Sequence, residues 1–243
     1  EGDIKGCFDN IDHHILIGIL KRRIKDEAFI DLIWKLLRAG YLEDWMKHQT
    51  YSGTPQGSGV SPLLANIYMN ELDQFMEEYR GSFNKGDKRR FSNAYVNANH
   101  HYARAKARNA KKWELMNEEE RENARIMQKE LQTTLLSTPS RDQMDPNYRR
   151  IVYVRYADDF LIGVIGSKTD AEQVKTDVGD FLRQNLNLTM SPEKTLITHG
   201  HDKARFLGYD ITINQNQSTK KTKGGTKRTY NSRVVLLLPK EKW

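Results

Sequence analysis

One cysteine, Cys7, in 243 residues leaves no partner for an intrachain disulfide and too few thiolates for a cysteine-rich zinc site. That scarcity points to a reducing compartment. No apolar run approaches the roughly 20 residues needed to cross a bilayer, so the expectation is a soluble chain with no membrane partner. There is no initiator methionine and no secretory leader, and Glu1 opens as if within a longer reading frame. No internal repeat is evident, which sets repeat architectures aside. The histidine pairs His13-His14 and His100-His101 lack zinc-ligand spacing and read as surface or capping residues. Trp34, Trp45 and Trp113 read as packing residues.

What the chain does have is segregated charge. Its 39 Lys and Arg against 32 Asp and Glu give a formal net charge of +7. Residues 81–113 hold nine basic residues and one acid, and residues 214–233 hold six basic residues and no acid, so the remainder is acidic. Basic borders around an acidic body suit an enzyme that holds a polyanion at its edge and uses carboxylates within. Two solvated charged loops are the plainer alternative.

The acids of interest sit in Tyr156-Ala157-Asp158-Asp159. Ile151 to Arg155 precede them and Phe160 to Ile165 follow, both apolar and β-branched, which predicts a hairpin with the two aspartates at its turn. Aspartate is common in ordinary polar turns. Between two core strands, however, adjacent carboxylates repel each other and call for a cation, and a hard divalent ion such as magnesium prefers rigid carboxylate oxygens.

Elsewhere, Asp3 to Phe8 predicts a short strand ending near Asn10, and Asp12 caps a helix striped by Ile11, Ile15, Ile19 and Leu20. Phe29, Ile30, Ile33, Leu36 and Leu37 predict a second helix ending at Gly40. A glycine-rich loop, residues 53–62, runs into a third, with Ser61 as N-cap and Pro62 at the first helical position. This loop lacks the lysine of a P-loop and the spacing of a dinucleotide fingerprint. Residues 81–150 look inserted: a basic helix over Asn99 to Trp113, then an acid-led helix from Asn117, an αα-hairpin with a basic outer face. Strands are expected at Thr195 to His199 and Val234 to Leu238, with a mobile polar stretch around Gly224-Gly225. The order strand, helices, hairpin, helix, strand suggests a β-α-β-β-α-β unit in which Asp3 and Asp158 meet on adjacent strands.

Five ordered segments then carry a family resemblance: Asp3-Ile4-Lys5-Gly6-Cys7-Phe8-Asp9, Gly53-Thr54-Pro55-Gln56-Gly57, Tyr156-Ala157-Asp158-Asp159, Ser191-Pro192-Glu193-Lys194-Thr195 and Phe206-Leu207-Gly208-Tyr209. In order and spacing they resemble the palm motifs of reverse transcriptases, most of all those of group II intron-encoded reverse transcriptases and maturases. The resemblance implies an α+β fold, a right-hand polymerase palm with a ferredoxin-like antiparallel sheet and packed helices, plus the inserted basic αα-hairpin. It implies two magnesium ions, or manganese in their place, held by Asp3, Asp158, a weaker Asp159 and the Ile4 carbonyl.

Further roles follow from the same resemblance. Lys194 would give a proton to the departing pyrophosphate, and Phe8 would be the steric gate against a ribose 2′-OH. Pro55, Gln56 and Gly57 would lie against the incoming deoxynucleoside triphosphate or the template, and Leu207 and Gly208 would grip the primer end. Lys88, Arg89, Arg90, Arg104, Lys106 and Arg108 would contact intron RNA, the template, with a DNA primer as second strand. Ser58-Gly59-Val60 departs mildly from the family pattern after Gly57. Domains implied are 1–80 and 151–213 as two parts of the palm, 81–150 as the insertion, and 214–243 as a basic loop and last strand leading toward a thumb. The chain resembles a palm-centred piece of such an enzyme. The competing function is an RNA-binding splicing factor with a non-essential polymerase site; retron, diversity-generating and CRISPR-linked reverse transcriptases are further relatives of the same pattern.

Overall fold

The computed structural model describes all residues except 40, 44–45, 49–52, 55–58, 215–218, 224, 229–232 and 243. Side-chain caps set where most helices begin. Asp12 accepts from the N–H groups of His14 and Ile15 at 2.8 and 3.1 Å and starts α1 (His13–Arg23). Asp26 starts α2 (Glu27–Arg38) in the same way, and a short hairpin of β1 (Tyr41–Glu43) and β2 (Met46–His48) follows. In α3 (Ser61–Phe83) Pro62 lies in the first turn, but the N-cap is Val60, and Ser61 is a buried residue of the helix itself. α4 (Asn93–Lys112) is capped by Ser92, earlier than its Ala/Arg/Lys-rich composition suggests, because a cap can start a helix ahead of its best helix formers. α5 (Glu118–Ser137) opens on a capping box of Asn117 and Glu120.

β3 (Arg150–Tyr156) and β4 (Asp159–Ile165) form an antiparallel hairpin with Tyr156 opposite Asp159, so Ala157 and Asp158 are its two-residue turn. α6 (Lys168–Leu186) starts at a Ser167–Asp170 capping box and ends at Asn187, whose φ of 49° closes it in the left-handed conformation. β5 (Ala204–Phe206), β6 (Tyr209–Ile213), β7 (Thr219–Thr222), β8 (Gly225–Arg228) and β9 (Val234–Leu237) complete the chain. β5, β6 and β9 form one sheet in that order, and β7 pairs with β8. The class is a mixture of helices and antiparallel sheet.

Two further expectations change. The strand from Asp3 is reduced to isolated bridges at Gly2 and Ile4, and Phe8–Asn10 winds into a 3-10 turn. Thr195 to His199 is not a strand: Thr195 N–H turns back to Ser191 O, while Leu196 exchanges backbone bonds with Glu1. Within the polar stretch β7 pairs with β8, with β-branched threonines at both ends of β7. The helix end expected at Gly40 lies outside the described residues, as does Trp45.

Two compact units divide the chain. The first comprises Glu1–Asn84, Arg149–Ile211 and Leu236–Trp243. Its core stacks Leu64, Tyr68, Leu72 and Met76 of α3 with Leu16 and Leu20 of α1, Val174, Val178 and Leu182 of α6, and Ile151 and Phe160 of the hairpin. Each fully buried large apolar side chain contributes about 1.5–3 kcal/mol. Tyr68 is fully buried, and its hydroxyl donates to Leu186 O at 2.6 Å, so its one polar atom is satisfied. The second unit comprises Lys85–Tyr148 and Thr212–Val235. There α4 lies against α5 through the buried Ala105 and Ala124, and the Asn109 amide donates to Ala124 O and Gln128 Oε1, both at 3.4 Å.

Asp12 links local and tertiary order, because its second oxygen accepts from the Asn187 amide at 2.9 Å. Burial pushes its carboxyl up, but the bonds from Ile15, Asn187 and His14 outweigh that and hold it below the usual carboxylate range. A lowered folded-state pKa gives stability above the unfolded value that is lost as pH falls through the folded one. Asp12→Ala is therefore expected to cost about 1 kcal/mol at neutral pH. Urea denaturation at pH 7 and at pH 3 should show that deficit shrinking in acid.

Candidate active site

Two backbone hydrogen bonds, Gly2 N to Phe160 O and Phe160 N to Gly2 O, both 2.9 Å, join the N-terminal segment to β4. Carrying this antiparallel register one residue further sets Asp3 directly opposite Asp159, in the closer, non-hydrogen-bonded kind of pair. Strand alternation decides the face. Ile4 and Phe160 are buried in the core, so Asp3 and Asp159 both stand on the other side. On the segment's far edge Lys5 N donates to Thr189 O and Ser191 N donates to Asp3 O. Ile4 therefore directs its carbonyl to the hairpin side, opposite Asp158.

Asp158 reaches the group from the turn, where Ala157 adopts φ 54°, an uncommon conformation for a residue with a Cβ. Burial pushes the Asp159 carboxyl up, and the neighbouring charges of Asp158 and Asp3 push it further, with Lys194 opposing them. The Lys194 ammonium lies 3.2 Å from Asp3 Oδ2, but 69% of its side chain is exposed, so its Coulombic hold is weakened by solvent. Beneath the acids is Cys7, whose thiol is pushed up to about 12 by burial and then by Asp158, which leaves it an inert packing residue.

Among the described residues no group of three or more His, Cys, Asp or Glu side chains closes a metal cage. The carboxylate oxygens of Asp3, Asp158 and Asp159 are of the type a divalent, oxygen-preferring cation takes, and Asp159 feels the charges of the other two, although burial is the larger cause of its raised pKa.

The other residues singled out by sequence fall as follows. Phe8 begins the 3-10 turn, half-buried, and its carbonyl accepts from Thr54 N at 2.8 Å. Gly53 donates to Ile11 O at 2.8 Å with φ 86°, and a Cβ there would lie 2.6 Å from Phe8 O, so glycine is required. Pro55, Gln56 and Gly57 lie outside the described residues. Leu207 and Gly208 form the turn between β5 and β6, both left-handed, at φ 49° and 77°. In the second unit Lys88, Arg104, Lys106 and Arg108 are exposed, and Arg108 also reaches Met127 Sδ at 3.4 Å. Arg90 is tied to Asp142 at 2.7 Å and Arg89 lies over the Tyr148 ring, so these two guanidinium groups also serve the unit's own structure.

Sequence reasoning missed His13. It is buried, not at the surface, with Nε2 2.6 Å from Gly53 O and its ring edge-on to Trp34, and so it tethers the glycine-rich loop to α1. Forty residues separate the partners, and nothing local signals the contact.

A family model described as "Reverse transcriptase (RNA-dependent DNA polymerase)" matches residues 1–96 and 124–211. "Group II intron-encoded protein LtrA" of Lactococcus lactis subsp. cremoris is 44% identical over 98% of this chain, which spans 39% of that protein. "Putative COX1/OXI3 intron 1 protein" of Saccharomyces cerevisiae is 41% identical over 96% of this chain, which spans 26% of it. "Protein YkfC" of Escherichia coli is 29% identical over the whole chain, which spans 51% of it.

A raised carboxyl pKa means the fold favours the protonated form, so this contribution to stability is present in acid and lost as pH rises through the raised value. Asp159→Asn removes the repulsion at every pH. Without divalent ions at pH 7 its thermal midpoint is expected to rise by about 1–2 °C, a small gain because the group is partly solvated. Adding magnesium should stabilise the parent chain more than the variant; calorimetry with and without the ion tests both.

Proposed function

The chain belongs to the reverse transcriptase family, and from that premise we propose that its first unit is the palm of an RNA-directed DNA polymerase, encoded by a group II intron. In this proposal the sheet edge and helices of that unit are the ferredoxin-like palm, and residues 81–150 are an inserted, basic αα-hairpin. The strongest support is the cross-strand meeting of Asp3 with Asp159 beside the Asp158 turn, on the face turned away from the core. A nucleotidyl transfer needs little beyond such placed charge, because the reacting phosphoryl group is itself anionic.

Asp3, Asp158, a weaker Asp159 and the Ile4 carbonyl would hold two magnesium ions. When bound, such a pair lowers the barrier by activating the attacking oxygen and stabilising the leaving one. The protein's own groups do the rest. Lys194, exposed and within reach of Asp3, is placed to hand a proton to pyrophosphate and then exchange with solvent. Phe8, fixed through its carbonyl to Thr54, is the steric gate for a deoxynucleoside triphosphate. Pro55, Gln56 and Gly57 complete the nucleotide's surroundings, and the tight Leu207-Gly208 turn steadies the primer end. The basic residues Lys88, Arg89, Arg90, Arg104, Lys106 and Arg108 bind intron RNA through its phosphates, with the splicing and mobility of that intron as the wider role. No helix among the described residues is long and apolar enough to cross a membrane; the compartment we propose is a bacterial cytoplasm or organellar matrix.

Asp158→Ala in the full-length protein should abolish cDNA synthesis, a fall of at least about a thousandfold, and leave intron RNA binding within twofold. Synthesis at the parent rate would exclude the polymerase reading and favour an RNA-binding splicing factor. Neutralising Lys88, Arg89, Arg90, Arg104 and Arg108 together should weaken RNA binding and flatten its dependence on salt, by about 0.7–0.9 in log–log slope for each phosphate that is no longer neutralised. Filter binding from 50 to 300 mM KCl measures this; an unchanged affinity and slope would remove these residues from the interface.

A further inference from the structure

The inward face of β3 changes character along its length. Ile151 is buried in the core, Tyr153 is half-buried, and Arg155, two residues on again, brings a guanidinium beneath the sheet with only 10% of its side chain exposed. α3 supplies its partners from one face, because Asn66 and Asp73 lie seven residues, or two turns, apart. Arg155 Nε donates to Asp73 Oδ1 at 2.8 Å and Nη2 to Asp73 Oδ2 at 2.6 Å, a bidentate fork, while the Tyr153 hydroxyl donates to Asp73 Oδ1 at 2.8 Å. The remaining nitrogen, Nη1, donates to Asn66 Oδ1 at 3.2 Å and to Ala157 O at 2.7 Å.

That last bond bears on the acids. Ala157 is the left-handed residue of the hairpin turn, and its carbonyl belongs to the peptide that leads into Asp158. A residue with a Cβ leaves that conformation readily unless its surroundings hold it. A planar guanidinium, clamped by Asp73 so that it cannot rotate, presents one fixed donor to that carbonyl. We propose that Arg155 and Asp73 are a positioning pair that locks the Ala157–Asp158 peptide and so sets the Asp158 carboxylate toward Asp3. The inference deepens the polymerase reading and rests on it. Neither residue touches the reacting atoms; they act through the backbone of the turn.

The test is primer extension by the full-length protein, titrated with magnesium at fixed nucleotide. Arg155→Lys keeps the charge but loses the fork, and Asp73→Asn keeps the shape but loses the clamp. Each should raise the half-saturating magnesium concentration about tenfold, the equivalent of ~1.4 kcal/mol, with the rate largely recovered at saturation. Tyr153→Phe, a mild change that folds, should shift it about twofold in the same direction. Ala157→Gly added to Arg155→Lys should bring the requirement back toward the parent value, because glycine adopts the turn without restraint. A parent-like magnesium requirement in Arg155→Lys and Tyr153→Phe, or a fall in rate that saturating magnesium and Ala157→Gly leave untouched, would overturn the positioning role. Asp158→Ala in the same assay separates the two levels. If it is inactive while Arg155→Lys titrates normally, only the positioning fails; if it is active, the polymerase reading itself fails.

Discussion

The register between Gly2 and Phe160 is the constraint on which the acidic site depends. Strand side chains alternate, so a slip of one residue would carry Asp3 into the core and Ile4 out of it. The register is held from the core side as well as by its two hydrogen bonds. A Cβ on Gly2 would lie 2.3 Å from the Phe160 ring, so the ring packs where only glycine leaves space. One contact thus seats an aromatic in the core and two carboxylates on the opposite face. The segment needs no long strand for this, because bridges to β4 on one edge and to Met190 on the other pin it at both sides.

Bringing acids together has an electrostatic cost, and the surrounding cations meet it only in part. Lys194 is close to Asp3 but mostly solvated, and Arg155, with 10% of its side chain exposed, is already engaged by Asp73. Its interaction with Asp73 is charge-assisted and doubly hydrogen-bonded, so it has little left to neutralise Asp158 at long range. Burial first, and then the charges of Asp158 and Asp3, push the Asp159 carboxyl up.

Local features were legible in the sequence, and distant ones were not. Asp12 as a cap, the start of α5 at Asn117 and the apolar stripes of α1 and α2 follow from residues within a turn or two of one another. The hairpin around Asp158 follows from period and turn length. His13 with Gly53, and Asp73 with Arg155, join residues 40 and 82 apart, and no periodicity marks such pairs. Ser61 illustrates a different limit: a good capping residue beside Pro62 sits one position inside the helix and is buried there. Thr195 to His199 has strand-like composition, yet Leu196 finds its partner in Glu1 at the other end of the unit, and no ladder forms.

Charge counted along the sequence also overstates what a surface offers. Arg90 and Arg89 are partly used within their own unit, and Arg121 and Arg125 lie over Trp113. On α4 the seam with α5 runs through Ala105 and Asn109. Helical geometry of about 100° per residue then puts Arg104, Arg108 and Lys111 on one flank of that seam and Lys106 on the other. A polyanion lying along the first flank meets three cations in a row spaced by single turns, about 5–6 Å apart, close to the rise between successive phosphates of an extended strand. Lys106 stands apart from that row on the other flank. The basic helix therefore presents two unequal surfaces, with Arg104, Arg108 and Lys111 on one flank and Lys106 on the other.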